Sequence, residues 1–254
     1  MIRGEGGDAN PALPVVWLHG WGMGSAVWGA TPGWCGHGAA MLDLPGHGEQ
    51  PWDEGLGDDL ERWARALLDR APARAVWVGW SLGGLLAMAA ARLAPERVAG
   101  LTLLAASPRF VAPDAGGCGM ASELFRQFKS GLEHDLQGTL RRFIALQTLG
   151  VSDARGVRLR LQSALDAMPT PDLRALRAGL SLLEHGDMLA ELSLIRSPVR
   201  ILLGGRDRLV PPCVAGRYAR ALPSAGIEIL PEAGHLPFIH EPAALRRALD
   251  HVVH

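Results

Sequence analysis

The sequence predicts an α/β protein built on a doubly wound, mostly parallel sheet, with a block of helices inserted into it as a cap. Three observations predict this. Short apolar runs bounded by Gly, Pro or Asp recur at 15–18, 39–44, 75–79 and 98–104, as strands buried on both faces do. Helical stretches alternate with these runs, the pattern of a parallel sheet with crossover helices. From 113 to 195 the strand signal stops and only helical periodicity remains, before strands return at 199–203 and 227–230. The predicted division is therefore a core of residues 1–112 and 196–254, with 113–195 as the cap.

Each element has its own reason. Val15–Leu18 reads VVWL, a short run with no polar face, and 75–79 and 98–104 are similar. Between strands, 58–70 places Leu60, Trp63, Ala64, Leu67 and Leu68 on one helical face. The stretch 83–93 is apolar nearly all round, as a helix packed on a sheet must be. Within the cap, helical periodicity runs over 123–132, 135–149, 153–168 and 172–183, broken by Gly and Pro. A last helix is predicted at 242–252. No internal repeat or low-complexity tract is present.

Composition narrows the function classes. The 254 residues are 48% hydrophobic and 20% charged, with a formal net charge of -1, which gives no reason to expect nucleic acid or a membrane as a partner. Lys129 is the one lysine among 25 basic residues, a compositional habit of the source. Cys35, Cys118 and Cys213 are odd in number and far apart, so they read as buried or incidental thiols, with no disulfide framework and no zinc site. Residues 1–11 lack a basic segment leading into an apolar one, and no apolar run approaches the ~18 residues of a membrane span. A cytoplasmic monomer is expected.

The chemistry is carried by Gly79-Trp-Ser-Leu-Gly83. This G-x-S-x-G leaves a strand and opens a helix, so Ser81 is expected on a strained turn that exposes its hydroxyl, with glycines admitting neighbouring chain. A serine hydroxyl needs a base. Of the nine histidines, His235 follows the strand 227–230 and sits in a loop after Gly234, which is expected to give the backbone freedom to turn the ring inward. His37, His134, His185, His251 and His254 read as surface or terminal residues, and His240 as a helix-start residue. His47, in Asp43-Leu-Pro-Gly-His-Gly48, reads as part of a shape-determining loop. The orienting acid is expected to be Asp207, which hangs from the strand 199–203, with Asp187 as its rival in the helical block. His19-Gly-Trp-Gly22 follows the first strand, where a second backbone N–H for an oxyanion, that of Trp21, belongs beside that of Leu82.

At these residues the sequence resembles the α/β-hydrolase superfamily, and within it the pimeloyl-[acyl-carrier protein] methyl ester esterases of biotin synthesis. The narrower resemblance rests on Leu18-His-Gly-Trp-Gly22, Val78-Gly-Trp-Ser-Leu-Gly-Gly84, Arg142-Phe-Ile-Ala-Leu-Gln-Thr148 and Ala233-Gly-His-Leu-Pro-Phe238. It implies the α/β-hydrolase fold and a serine carboxylesterase with Ser81, Asp207 and His235 as its triad. It also implies that Trp21 and Leu82 line the oxyanion and ester end, with Phe143 and Gln147 along the acyl channel. The partner implied is an acyl carrier protein bearing pimeloyl methyl ester, and no metal or organic cofactor is called for. The chain departs from the family in the Gly-rich loop 113–119 and in Gly138, which stands where the cap face carries a basic residue. Residues 141–160 hold Arg141, Arg142, Arg155, Arg158 and Arg160 against Asp153 alone, a formal charge of +4 that suits an acidic carrier, with Arg142, Arg155 and Arg158 as docking candidates. The rival readings are a broad carboxylesterase for short free esters, a hydrolase of carbon–carbon bonds in ring-cleavage products, and a ligand receptor that has kept the pocket without turnover.

Overall fold

The computed structural model describes residues 13–29, 31, 33, 38–113 and 117–253. The stretch 1–11 and residues Cys35, His37 and His254 lie outside them. Six strands, β1 (Val15–Leu18), β2 (Ala39–Leu42), β3 (Ala75–Trp80), β4 (Val98–Leu104), β5 (Val199–Gly204) and β6 (Gly226–Leu230), form one sheet in the order β2-β1-β3-β4-β5-β6. Every neighbouring pair is parallel. The strand order reverses between β1 and β3, and the crevice at the carboxyl ends of such strands is where open α/β sheets place their chemistry.

The apolar runs of β1, β3 and β4 become strands because both faces are covered, whereas the run expected to be buried at 39–44 forms the edge strand β2, which is largely exposed, Met41 included. All six residues of β3 are buried. On one face lie α1 (Leu60–Arg70) and α2 (Leu82–Leu93). Asp59 caps α1 by accepting from the amides of Glu61 and Arg62, and Trp63, Ala64, Leu67 and Leu68 are its buried stripe. Helix α2 is buried from Leu82 to Ala91, which is why it carries no polar face. Trp17, Trp28, Trp80 and Phe238 fill the opposite face together with Ala244, Leu245, Ala248 and Leu249 of α9 (Pro242–Val253).

Between β4 and β5 the described residues form four α-helices and no strand of the sheet: α3 (Ser122–His134), α4 (Leu136–Gln147), α5 (Ala154–Asp166) and α6 (Leu173–His185). Asp135, Asp153 and Asp172 cap α4, α5 and α6, accepting from the amides of Gly138, Gly156 and Arg174 at 2.8, 3.0 and 2.8 Å. Two short helices escape the sequence reading, α7 (Ala215–Ala221) and α8 (Pro237–His240). Helix α7 is held by Tyr218, fully buried, whose hydroxyl donates to the Ala106 carbonyl at 3.2 Å. His240 ends α8 half-buried, not at the start of the last helix.

The cysteine expectation is corrected. Cys118 and Cys213 form a disulfide, with a sequence separation of 95 and 5.9 Å between their Cα atoms. The pairing is a tertiary event that spacing does not signal. Arg217 of α7 donates to the Arg109 carbonyl at 2.9 Å and to the Cys118 carbonyl. It thereby draws the segment leading into the helical block onto the turn Pro212–Val214 that holds Cys213. Among the described residues no helix is long and apolar enough to cross a membrane, and no cluster of three or more His, Cys, Asp or Glu side chains is placed to hold a metal ion.

Candidate active site

Ser81 stands between β3 and α2 with φ 54° and ψ -118°, a conformation an L-residue rarely adopts. Strain of this kind costs on the order of 1–3 kcal/mol and persists where the surroundings over-determine it. Here the Ser81 amide donates to the Leu104 carbonyl at 3.0 Å, and the Ser81 carbonyl accepts from Gly84 at 2.9 Å. The flanking glycines answer to close approach. A Cβ on Gly79 would lie 2.5 Å from the Gly83 carbonyl oxygen, and one on Gly83 would lie 2.5 Å from the carbonyl oxygens of Leu18 and His19. The nucleophile turn is thus pressed directly against the end of β1. Leu82 opens α2, and first-turn amides have no intrahelical acceptor, so its N–H is available where an oxyanion would form.

His235 and Asp207 come together as the sequence predicts. Nδ1 of His235 lies 2.7 Å from Oδ2 of Asp207, and both side chains are fully buried. The other carboxylate oxygen accepts from the amides of Leu209 and Val210 at 2.8 and 2.9 Å. An ionised carboxylate only accepts, so Nδ1 carries the proton and Nε2 is left with its lone pair. The indole of Trp80 donates to the His235 carbonyl at 2.8 Å, which ties the histidine loop to the strand bearing Ser81. The Ser81 hydroxyl and His235 Nε2 are both buried and neither has a hydrogen-bond partner among the described residues. Acid and base are therefore joined, while the hydroxyl and the base are not yet bonded; such contacts commonly tighten only when substrate is present. Gly234 does not serve the freedom expected of it. A Cβ there would lie 2.8 Å from Val151 Cγ1 and 2.9 Å from the Gln147 carbonyl oxygen, so the residue is small because the helical block packs on it. The rival acid Asp187 pairs with Arg109 instead.

Three of the predicted substrate-side residues, Trp21, Leu82 and Phe143, pack close together, and the fourth, Gln147, meets the loop of His235. Trp21 is fully buried, its indole donating to the Leu176 carbonyl of α6 at 2.9 Å and its ring meeting Phe143 edge-on at 4.9 Å. Trp21 and Leu82 both crowd Gly179 of α6, where a Cβ would sit 2.9 and 3.2 Å from their side chains. Gln147 ends α4 with its carbonyl accepting from the His235 amide at 3.3 Å, while both polar atoms of its side-chain amide are buried without a partner among the described residues. The residue whose backbone carbonyl meets the His235 amide thus carries a buried side-chain amide that has a donor and an acceptor to offer. Of the docking candidates, Arg142 donates to Thr139 at 2.8 Å and lies 3.8 Å from Asp135, and it remains largely exposed. Arg155 and Arg158, like Arg141 and Arg160, are exposed and form no ion pair among the described residues.

Two residues the sequence reading left outside the site belong to its frame. His19 and His47 are fully buried with ring centroids 5.5 Å apart. Nδ1 of His19 faces the Gly20 carbonyl at 2.8 Å and Nδ1 of His47 faces the Pro45 carbonyl at 2.9 Å. Carbonyls only accept, so both rings are protonated at Nδ1, and both use Nε2 as an acceptor. His47 takes the Gly22 amide at 3.2 Å and His19 takes the Leu44 amide at 3.0 Å. The turn bearing Trp21 is thus pinned from below. Burial pushes His47 from its ordinary value near 6.5 down to about 4, against the raising influence of the Pro45 carbonyl and Asp43. Burial, helped by His47, likewise holds His19 well below the ordinary range. Burial acts to raise the Asp43 carboxyl, but the amides of Ser25 and Glu49, with His19, outweigh it and leave it below the usual value. The Asp-x-x-Gly-His pattern marks this loop in the sequence, but nothing there tells a buried histidine from an exposed one.

A parallel sheet with a strained serine at a strand–helix elbow, and an Asp–His pair on the loops after β5 and β6, defines the α/β-hydrolase class. The sequence model of the Alpha/beta hydrolase family matches residues 15–248. The chain belongs to that family and, within it, to the pimeloyl-[acyl-carrier protein] methyl ester esterases. It is 41% identical to the protein of that name from Methylococcus capsulatus over 228 residues, covering 89% of this chain and 88% of the relative. The Photobacterium profundum protein of the same name is 39% identical over 247 residues, covering 95% and 92%. Among solved structures, the enol-lactonase from Burkholderia xenovorans superposes with a TM-score of 0.80 at 19% identity, over 98% of this chain and 94% of that one, a likeness of fold.

Proposed function

We propose that this protein is a serine carboxylesterase that hydrolyses the methyl ester of pimeloyl-acyl carrier protein to pimeloyl-acyl carrier protein and methanol, in the cytoplasm and as a monomer. The observation that carries the reading is the buried Asp207–His235 pair at 2.7 Å set beside the strained turn of Ser81. His235 Nε2 takes the hydroxyl proton as Ser81 attacks the ester carbonyl. The amides of Trp21 and Leu82 hold the oxyanion, and Asp207 stabilises the imidazolium. The proton then passes from His235 to the departing methoxide, and methanol leaves. Water, deprotonated by His235, releases the pimeloyl group and restores the serine. No metal or organic cofactor enters these steps.

The helical block serves in this reading as the cap. Phe143, against Trp21, forms the apolar wall for the acyl chain, and the vacant amide of Gln147 offers it a polar contact. The exposed arginines of α4 and α5, Arg142, Arg155 and Arg158, receive the acidic carrier and the phosphate of its arm. A carrier held there reaches Ser81 only with the far end of its acyl group, which selects the methyl ester over the thioester. The test offers methyl pimeloyl-carrier and a short free methyl ester side by side, and asks for rescue of a biotin auxotroph lacking this activity. Charge reversal of the three arginines together is expected to raise KM for the carrier-bound ester about 10-fold more than for the free one. Equal turnover of both esters, no such difference in the variant and no rescue would reduce the reading to a general esterase.

A further inference from the structure

One side chain touches all three segments that meet at the base, and the mechanism above makes no use of it. Arg206 precedes Asp207. Its backbone amide donates to the Ala233 carbonyl at 3.0 Å, two residues before His235. Its guanidinium pairs with Glu232 of the same histidine loop and donates to the Gly150 carbonyl, just past the end of α4, at 2.7 Å. Three residues before Gly150, the Gln147 carbonyl accepts the His235 amide, and Gly234 packs against Val151 and Gln147. Acid loop, base loop and the end of α4 are therefore bound to one another at the surface by this guanidinium, and beneath it by one backbone hydrogen bond to the catalytic histidine.

We infer that Arg206 is a positioning residue, which couples the seating of the cap to the orientation of the His235 imidazole. Its two contacts, a loop carboxylate and a cap carbonyl, lie in directions that only a forked donor spans at once. With the fork in place, the Gln147 carbonyl stays over the His235 amide, and Nδ1 stays on the Asp207 carboxylate. Without it, the cap end can lift from the His235 amide, and the imidazole, held then by Asp207 and by the Trp80 indole on its backbone, gains rotational freedom. A load on the outer face of α4 and α5 is then transmitted to the base through this joint. The inference rests on the esterase reading only for its rate measurement.

The experiment compares Arg206→Ala and Arg206→Lys with the parent protein. With p-nitrophenyl acetate, which does not engage the outer cap face, Arg206→Ala is expected to lower kcat about 3- to 10-fold with KM within twofold, and to shift the pH profile of kcat/KM. Arg206→Lys, which keeps the charge but can meet only one acceptor well, recovers part of the loss. An independent readout is the far-downfield proton resonance of the Nδ1–H bonded to Asp207, expected to broaden in Arg206→Ala at temperatures where the melting curve shows the protein folded. That resonance needs no turnover. If the parent fails to release p-nitrophenol, the esterase reading falls and the resonance still decides this one. An unbroadened resonance with an unshifted pH profile, or a rise in KM at constant kcat, overturns the inference.

Discussion

His47 makes the sharpest prediction. It is buried neutral, with its value pushed from near 6.5 to about 4, and its Nε2 accepts the Gly22 amide of the oxyanion turn. Between those two values the unfolded chain takes up a proton that the folded chain refuses. The unfolded state thus binds more protons, so stability rises with pH across this window. The contribution is complete above pH 6.5, is lost as pH falls, and stops changing below about 4, where the folded ring also protonates. Each pH unit between the two values is worth about 1.4 kcal/mol, so on the order of 2–3 kcal/mol disappears between pH 6.5 and 4.5 through this residue alone. His19 acts in the same direction, and Asp43 and Arg70, which face the pair, remain in the variant. His47→Gln keeps an acceptor within reach of the Gly22 amide and removes the titration. Urea unfolding followed by tryptophan fluorescence, repeated from pH 4.5 to 7.5, is expected to give a shallower acid slope for His47→Gln by that amount. His47→Ala leaves the Gly22 amide buried and unpaired, at a cost of about 1–3 kcal/mol, and lowers kcat toward the ~10²-fold loss that removal of one oxyanion donor brings. Parallel pH–stability curves for the parent and His47→Gln would refute the reasoning.

Ser81→Gly relieves the positive φ at the elbow, so it is expected to raise stability by about 1 kcal/mol in denaturant titration while abolishing serine-dependent ester hydrolysis; a destabilised variant contradicts the strain argument. Reduction of the Cys118–Cys213 bond, or Cys118→Ser with Cys213→Ser, opens a link across 95 residues, worth about 4–5 kcal/mol in the chain-entropy account, and lowers Tm by several degrees. Identical melting with and without reductant would show that the bond is not formed in solution.

What the sequence made legible follows from where physical constraint is local. Val15–Leu18 and the run at 75–80 announce themselves because a strand covered on both faces admits no polar residue. Ser81, Asp207 and His235 are legible because each is presented by a turn at a strand's carboxyl end, and the turn chemistry lies within a few residues of each. The disulfide was not legible, since it depends on Arg217 drawing a distant segment onto α7, and a spacing of 95 residues carries no geometric signal. Helix α7 escaped because seven residues with one large anchor, Tyr218, show less than two turns of periodicity. Gly234 was noticed for the wrong reason. Its size answers to a helical block more than eighty residues earlier in the chain, and only the assembled fold brings that surface over it.

The same distinction explains why the site is left incomplete where it is. The Ser81 hydroxyl, Nε2 of His235 and both ends of the Gln147 amide are buried without partners among the described residues. The strained Ser81 backbone adds to that local cost. A fold ordinarily satisfies its buried polar groups, because each orphan costs about 1–3 kcal/mol. Of the ten other such atoms among the described residues, four are dispersed indole N–H groups, such as those of Trp17 and Trp77 on the sheet, and six lie on Arg92, Thr102, Glu191, Ser197 and His240. Those at the Ser81 turn, on His235 and on Gln147 are of complementary kinds: a hydroxyl, an imidazole nitrogen and a neutral donor–acceptor, the last on the helix that also sets Phe143 against Trp21. In the esterase reading, an ester on an alkyl chain meets these polar atoms with its reacting group and the rings of Trp21 and Phe143 with its chain. The free energy withheld from folding at these atoms is thereby available for binding the reacting group. Filling the space from the protein side tests this directly: Gln147→Leu is expected to raise stability and to weaken hydrolysis of the pimeloyl ester more than that of acetate. A Gln147→Leu protein that is less stable, or that treats both esters alike, would mean that the amide was never a vacancy for substrate.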